Sequence, residues 1–358
     1  MQNVTPPKLC CMKRHGSLFP LLVAPENLHR AWERAKRHKS SYRAVQKFAL
    51  NVDGNLKRIR QSLIDKTFRT AEYRSKVVYE PKRRTIYVLP FDPDRIVHHA
   101  LMNVLEPLWE PMFVRDSYAC IQGRGQHAGS RRTMEYVRRN RYCLKCDVHH
   151  FYVSIVHDIL YGMIERKIKC PDTLWLIREI IYSFPGGKNT PIGNLSSQWF
   201  GNYYLTPLDR LVKEVLKIKD YIRYCDDFLL FSDDKKLLHE CASIITDFLA
   251  ERLQLTLSKC DLFPVSRGVD FLGYRHFPDY ILLRKTTARR IAKRLRELPE
   301  RLEEGLIAPD SARSVLASAK GWAQWANTYH FKQSVHFDEL VELVDGKCRE
   351  QREAAAAV

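Results

Sequence analysis

The chain has 358 residues and carries 59 Lys and Arg against 41 Asp and Glu, a formal net charge of +18. That excess attracts phosphate backbones, whereas no apolar run approaches the ~20 residues that span a bilayer, so no membrane role is expected. Ten irregularly spaced cysteines are too few for a disulfide scaffold in a chain long enough to bury its own core, and a reducing setting is expected.

Residues 1–24 contain Pro6-Pro7 and no sustained apolar stretch, and read as a basic irregular arm without a signal peptide. Trp32, Val45, Phe48, Leu56, Ile59 and Leu63 recur at helical spacing, which predicts helices across 25–75. Alternation in Val77-Val78-Tyr79 and Ile86-Tyr87-Val88 predicts a hairpin across 76–92 with a basic tip, Lys82-Arg83-Arg84. The stretch 93–140 returns to helix, with a Gly-rich loop at Gly123-Arg124-Gly125, and 141–282 mixes strands with helices. Beyond 286 the pattern is helical again: Ile291, Leu295, Leu298 and Leu302 form an apolar stripe on a very basic helix. Trp322 and Trp325 read either as core residues or as rings that stack on nucleic acid. The Ala-rich end, 354–357, reads as disordered.

The chemistry concentrates in three carboxylates. Tyr224-Cys225-Asp226-Asp227 lies between Tyr221-Ile222-Arg223 and Phe228-Leu229-Leu230-Phe231, which predicts a tight hairpin with alternate side chains buried and the Asp pair at its tip. Neighbouring carboxylates repel each other and are poorly desolvated unless a cation bridges them. Upstream, Tyr142-Cys143-Leu144-Lys145-Cys146-Asp147 reads as a buried strand that ends in a third carboxylate. Carboxylates delivered by separate strands suit two-metal phosphoryl transfer, in which one ion activates a hydroxyl and the other holds a triphosphate. Asp147, Asp226 and Asp227 are therefore the predicted catalytic residues and the predicted ligands of two Mg²⁺ ions. Zinc is not expected at Cys143-x-x-Cys146, because strand alternation sends the two thiols to opposite faces and no second pair matches. His98-His99 and His149-His150 stay outside the metal set, since hard Mg²⁺ prefers oxygen.

These blocks resemble the reverse transcriptases. The palm hairpin Tyr224-Cys225-Asp226-Asp227 and the Asp147 strand are joined by five others in the family's order. Lys82-Arg83-Arg84-Thr85-Ile86-Tyr87-Val88 runs into Asp94-Arg95-Ile96-Val97. Ser117-Tyr118-Ala119-Cys120 precedes Gly123-Arg124-Gly125-Gln126. Pro191-Ile192-Gly193-Asn194-Leu195-Ser196-Ser197-Gln198 follows, then Leu257-Ser258-Lys259-Cys260 and Gly268-Val269-Asp270-Phe271-Leu272-Gly273-Tyr274. The resemblance implies an α+β right-hand polymerase with a mixed α/β palm and a helical thumb. Its expected parts are fingers with a helical lead-in at 25–140, a palm at 141–282 that includes a fingers segment at about 160–200, a thumb at 283–345 and a tail at 346–358. It implies an RNA-directed DNA polymerase that uses dNTP substrates.

Residue roles follow from the same resemblance. Lys82 and Arg84, with Arg83 as a substitute, are the candidates for triphosphate oxygens. Tyr152 is the steric gate against ribonucleotides, and Phe151, pointing the other way on an extended segment, packs in the core. Ile192, Gly193 and Gln198 line the nucleotide pocket, where Gly193 either lets the backbone approach the base pair or simply turns after Pro191. Phe271, Leu272, Gly273 and Tyr274 form the primer grip, and Arg124 and Lys259 face nucleic acid.

Most reverse transcriptases carry Gln-Gly and Ser-Pro where this chain has Ile192-Gly193 and Ser197-Gln198. That pattern is similar to the enzymes of diversity-generating retroelements. The likeness implies copying of a template-repeat RNA into adenine-mutagenised cDNA, a pentameric accessory variability protein as partner, and a cytoplasmic setting, bacterial or phage-encoded. Retron, group II intron-like and CRISPR-associated enzymes, and a non-catalytic RNA-binding relative, are the alternatives.

Overall fold

A computed structural model describes residues 14–79 and 83–356. Contacts divide the chain into two compact units: one comprises Met1–Arg124, Lys145–Leu229 and His239–Asp261, the other Gly125–Leu144, Leu230–Leu238 and Leu262–Val358.

In the first unit, the helices Pro25–Lys36, Arg43–Ala49 and Val52–Ile64 arise where the helical spacing predicts them. Pro25 opens the first of them, where a missing N–H costs nothing. Asn51 caps the third by accepting from the Gly54 N–H at 3.0 Å. Trp32 stacks on Phe48 with ring centroids 4.8 Å apart, which locks two of these helices together. Helix ends at Ile64 rather than near 75, because Lys66 takes a left-handed conformation (φ 57°) that helix cannot continue through. The basic hairpin follows as β1 (Arg74–Val78) and β2 (Arg84–Val88), antiparallel, with Val78 opposite Arg84. Lys82 lies outside the described residues. Within the described part of the N-terminal arm, His15 exchanges backbone hydrogen bonds with Lys167 and Lys169, and Phe19–Leu22 is helical. Its expected irregularity therefore fails for 14–24.

The central sheet contains β3 (Tyr142–Val148), β4 (Asp220–Tyr224), β5 (Asp227–Ser232) and β6 (Leu257–Pro264), in the order β4-β5-β3-β6. The alternation expected on β4 and β5 is absent. Tyr221, Ile222 and Arg223 are all buried, as are Phe228, Leu229, Leu230 and Phe231, since both faces of these strands are covered.

His98, on the helix Ile96–Trp109, is 2% exposed and shares a 2.8 Å hydrogen bond from Nδ1 with the Ser196 hydroxyl. Burial, and then the Arg95 charge, lower its pKa from 6.5 to about 4. The neutral form is thus the folded form. Its contribution is complete above pH 6.5 and is lost as pH falls toward 4, up to about 3 kcal/mol. Denaturant unfolding at pH 7.5 and pH 4.5 should show a loss that His98→Leu reduces; an equal loss in the variant refutes this.

In the second unit, β7 (Val269–Phe271), β8 (Tyr274–His276) and β9 (Ile281–Leu283) form an antiparallel meander. The stripe expected on one basic helix is split over two, Lys285–Arg296 with Ile291 and Leu295, and Leu298–Glu303 with Leu298 and Leu302. The first three join a core with Leu316, Phe337 and Val344, and Leu302 packs against it. Residues 354–356 are not disordered as expected: they lie in the helix Phe337–Ala356, as alanine's low helical cost allows, and residue 357 lies outside the described residues. Among the described residues, no helix is long and apolar enough to cross a membrane.

Candidate active site

Two strand ends meet at the carboxylates. Cys225 and Asp226 turn β4 into β5, with Cys225 in the left-handed region (φ 54°), and the Val148 N–H donates to the Asp226 carbonyl at 3.2 Å. Asp147, the penultimate residue of β3, is thereby set beside Asp226. Its Oδ2 accepts from the Ser258 hydroxyl at 2.7 Å. Burial and then the Asp147 charge push the Asp226 carboxyl up, against the pull of Arg84 and Arg223.

Asp227 is oriented differently. Its Oδ2 lies 3.7 Å from Lys145 Nζ, because the first residue of a strand and the turn residue before it point to opposite sides. Among the described residues, no three His, Cys, Asp or Glu side chains gather closely enough to hold an ion by themselves. Of the three predicted ligands, Asp147 lies near enough to Asp226 to raise its pKa, and Asp227 Oδ2 faces Lys145. The Asp147–Asp226 pair still fits a hard divalent cation: both donors are carboxylate oxygens, and one already carries the cost of its like-charged neighbour. Asp147 and Asp226 are the residues that would hold Mg²⁺, which when bound supplies charge neutralisation for phosphates and acidification of an attacking hydroxyl.

Arg84 opens β2 with its side chain exposed, near enough to Asp226 to lower that carboxyl's pKa. Tyr152 and Phe151 sit in a single helical turn, Phe151–Ser154, started by left-handed His150 (φ 44°). The extended segment expected here is therefore wrong, and the two rings do not point opposite ways: both lie against Gly201, with centroids 5.2 Å apart. Phe151 is buried, and the half-buried Tyr152 places its hydroxyl 3.8 Å from Cys225 Sγ.

Gly193 has φ 129°, and a Cβ there would stand 2.4 Å from the Tyr87 carbonyl oxygen. The backbone that approaches this glycine is the protein's own β2, pinned by a 3.0 Å hydrogen bond from the Tyr87 N–H to the Ile192 carbonyl. Ile192 is half-buried, and Gln198 is exposed on the helix Leu195–Tyr204. Arg124 Nη1 donates to the carbonyls of Val114 (2.9 Å), Arg115 (3.3 Å) and Ser117 (3.1 Å), so it braces its own loop. Lys259 is exposed on β6.

In the second unit, Leu272 and Gly273 form a two-residue turn between β7 and β8, both at positive φ (53° and 83°). Phe271 and Tyr274 are buried beneath it. A Cβ on Gly273 would meet the Trp322 ring at 2.7 Å, and Gln126 Nε2 donates to the Leu272 carbonyl at 2.8 Å. Trp322 therefore packs on the hairpin, while Trp325 stacks on His127 at 4.8 Å. Sequence reading missed Asp209 and Asn202, which lie in none of the quoted blocks; it quoted Ser258 and Arg223 without assigning either a role.

Residues 76–276 match the family described as reverse transcriptase (RNA-dependent DNA polymerase), more than half of the chain. The chain belongs to the reverse transcriptase family. Its α+β architecture is accordingly that of a right-hand polymerase. This reverse transcriptase is similar to the nuclear intron maturase 4, mitochondrial, of Arabidopsis thaliana, 22% identical over 210 residues, which cover 56% of the chain and 26% of the relative. It is also similar to the group II intron-encoded protein LtrA of Lactococcus lactis subsp. cremoris, 26% identical over 178 residues, 46% of the chain and 29% of the relative. The chain thus spans less than a third of either relative's length. A telomerase from Candida albicans, solved with a fragment of telomeric RNA, overlays 67% of this chain and 54% of its own with a TM-score of 0.44 and 13% identity.

Proposed function

We propose that the chain is an RNA-directed DNA polymerase that copies an RNA template into cDNA from dNTPs with Mg²⁺. The observation that carries this reading is the Asp147–Asp226 pair, set on adjoining strand ends inside the segment that matches the family. In it, Arg84 takes triphosphate oxygens, with Lys82 as the second candidate. Tyr152, Ile192, Gly193 and Gln198 surround the incoming nucleotide. The Phe271–Tyr274 hairpin bears on the primer, and Arg124 and Lys259 lie along nucleic acid. Asp227, whose Oδ2 faces Lys145, is the third candidate ligand.

The finer reading is a mutagenic enzyme of a diversity-generating retroelement, working on a template-repeat RNA with an accessory variability protein. The support is Ile192, whose apolar side chain cannot make the hydrogen bond that a Gln amide offers there, together with Ser197-Gln198. A second reading, an intron-encoded type of enzyme, is supported by the similarity to the maturase and to LtrA.

Primer extension by the purified chain on an RNA template, with dNTPs and Mg²⁺, tests the activity. A folded chain that extends no primer with Mg²⁺ or Mn²⁺ refutes it. Sequencing the cDNA separates the two lineages: errors concentrated opposite template adenine support the retroelement, and a uniform low error rate the intron type. In the same assay Tyr152→Ala should raise ribonucleotide incorporation; unchanged sugar selectivity removes Tyr152 from the gate.

A further inference from the structure

Arg223 is fully buried in β4, with Asp209 fully buried opposite it. Its Nε and Nη2 grip the two Asp209 oxygens at 2.7 and 2.6 Å. Nη1 turns away to the Asn202 amide oxygen at 3.2 Å and to the Cys225 backbone carbonyl at 3.1 Å. Two of these three partners are themselves held. Asp209 accepts the Tyr221 hydroxyl at 2.7 Å, and Asn202 donates to the Ala119 carbonyl at 2.7 Å. The Arg223 backbone is fixed as well, its N–H on the Asp116 carbonyl and its carbonyl on the Tyr118 N–H, each at 2.9 Å.

We propose that Arg223 is a positioning residue that aims the Asp226 carboxylate at Asp147 by holding the Cys225 carbonyl; this rests on the polymerase reading above. Two-residue hairpin turns place Gly, Asn or Asp at left-handed positions, and Cys225 has no such freedom. An external grip is needed to keep it there. The carbonyl that Arg223 holds belongs to the peptide plane that leads into Asp226, so its direction sets that of the carboxylate. A buried ion pair on its own adds little net stability, because desolvating two charges offsets their attraction. Its place directly under the carboxylate turn gives it a geometric task instead. Only a planar fork can serve Asp209, Asn202 and a carbonyl at once.

The test separates aiming from mere folding. Arg223→Met alone leaves the Asp209 charge buried without its partner and should melt early. Arg223→Met with Asp209→Asn removes both charges, keeps an acceptor for the Tyr221 hydroxyl and should restore the melting temperature, while the grip on Cys225 stays lost. Mn²⁺ binding, read by electron paramagnetic resonance against an Asp226→Ala blank, should weaken at least about tenfold in this double variant, and kcat should fall about a hundredfold with KM for dNTP little changed. A double variant that binds Mn²⁺ like the wild type, or that recovers kcat along with stability, overturns the proposal. A wild-type chain that binds Mn²⁺ at Asp226 yet makes no cDNA refutes the polymerase reading and leaves the positioning measurable.

Discussion

Asp226→Ala is expected to lower cDNA synthesis by at least about a thousandfold while leaving the chain folded. The two halves of this expectation have separate causes. Synthesis fails because Asp226 is one of the carboxylates proposed to hold the ion, and Asp147 alone cannot hold an ion against water. The fold survives because Asp226 is a turn residue whose carboxyl is already held above its usual range by burial and by Asp147, so its removal relieves a repulsion. Primer extension and a thermal melt on the same preparation check both. Retained synthesis would move the chemistry elsewhere, and collapse of the fold would show that the carboxylate has a structural partner.

Gly193→Ala is expected to destabilise the chain by about 1–3 kcal/mol and to raise KM for dNTP about tenfold. A new Cβ would stand 2.4 Å from the Tyr87 carbonyl oxygen and 3.1 Å from Ile86 Cγ2, at a φ of 129° that side chains rarely adopt. The first obstacle is backbone, which cannot swing aside as a side-chain tip would. The Tyr87–Ile192 hydrogen bond at 3.0 Å holds the same two segments together, so either the loop 191–194 or β2 must shift. Because β2 also carries Arg84, the displacement reaches the nucleotide site. Urea unfolding and a dNTP titration check the two effects. Unchanged stability would mean that the two segments separate at no cost.

At Gly193 the motif stops being informative. Position 193 called for glycine in either interpretation, but a sequence cannot say which backbone comes close. That depends on a strand more than a hundred positions earlier. The aromatic pair Phe151-Tyr152 teaches the same point through local geometry: treated as extended, the rings diverge, whereas one left-handed residue, His150, winds the segment into a turn and sends both rings against Gly201. Asp147 and Asp226 were legible because each follows a short apolar run, Asp147 near the end of β3 and Asp226 in the turn after β4. The departure of Asp227 toward Lys145 was not, since adjacent residues in a motif look equivalent until the pleat separates them.

By itself, the sequence determined what depends on near neighbours in the chain: the amphipathic stripe at Ile291 and Leu295, the hairpins at β1–β2 and β4–β5, the basic excess and the carboxylate strand ends. Periodicity and turn chemistry act over a few residues, so they can be read in order. Only the tertiary structure decided that Asp227 Oδ2 faces Lys145, that β4 and β5 are covered on both faces, and that Arg223 reaches Asp209, Asn202 and the Cys225 carbonyl together. A buried charge is tolerated only where distant segments converge to satisfy every one of its hydrogen bonds, and that convergence exists only after the chain has folded.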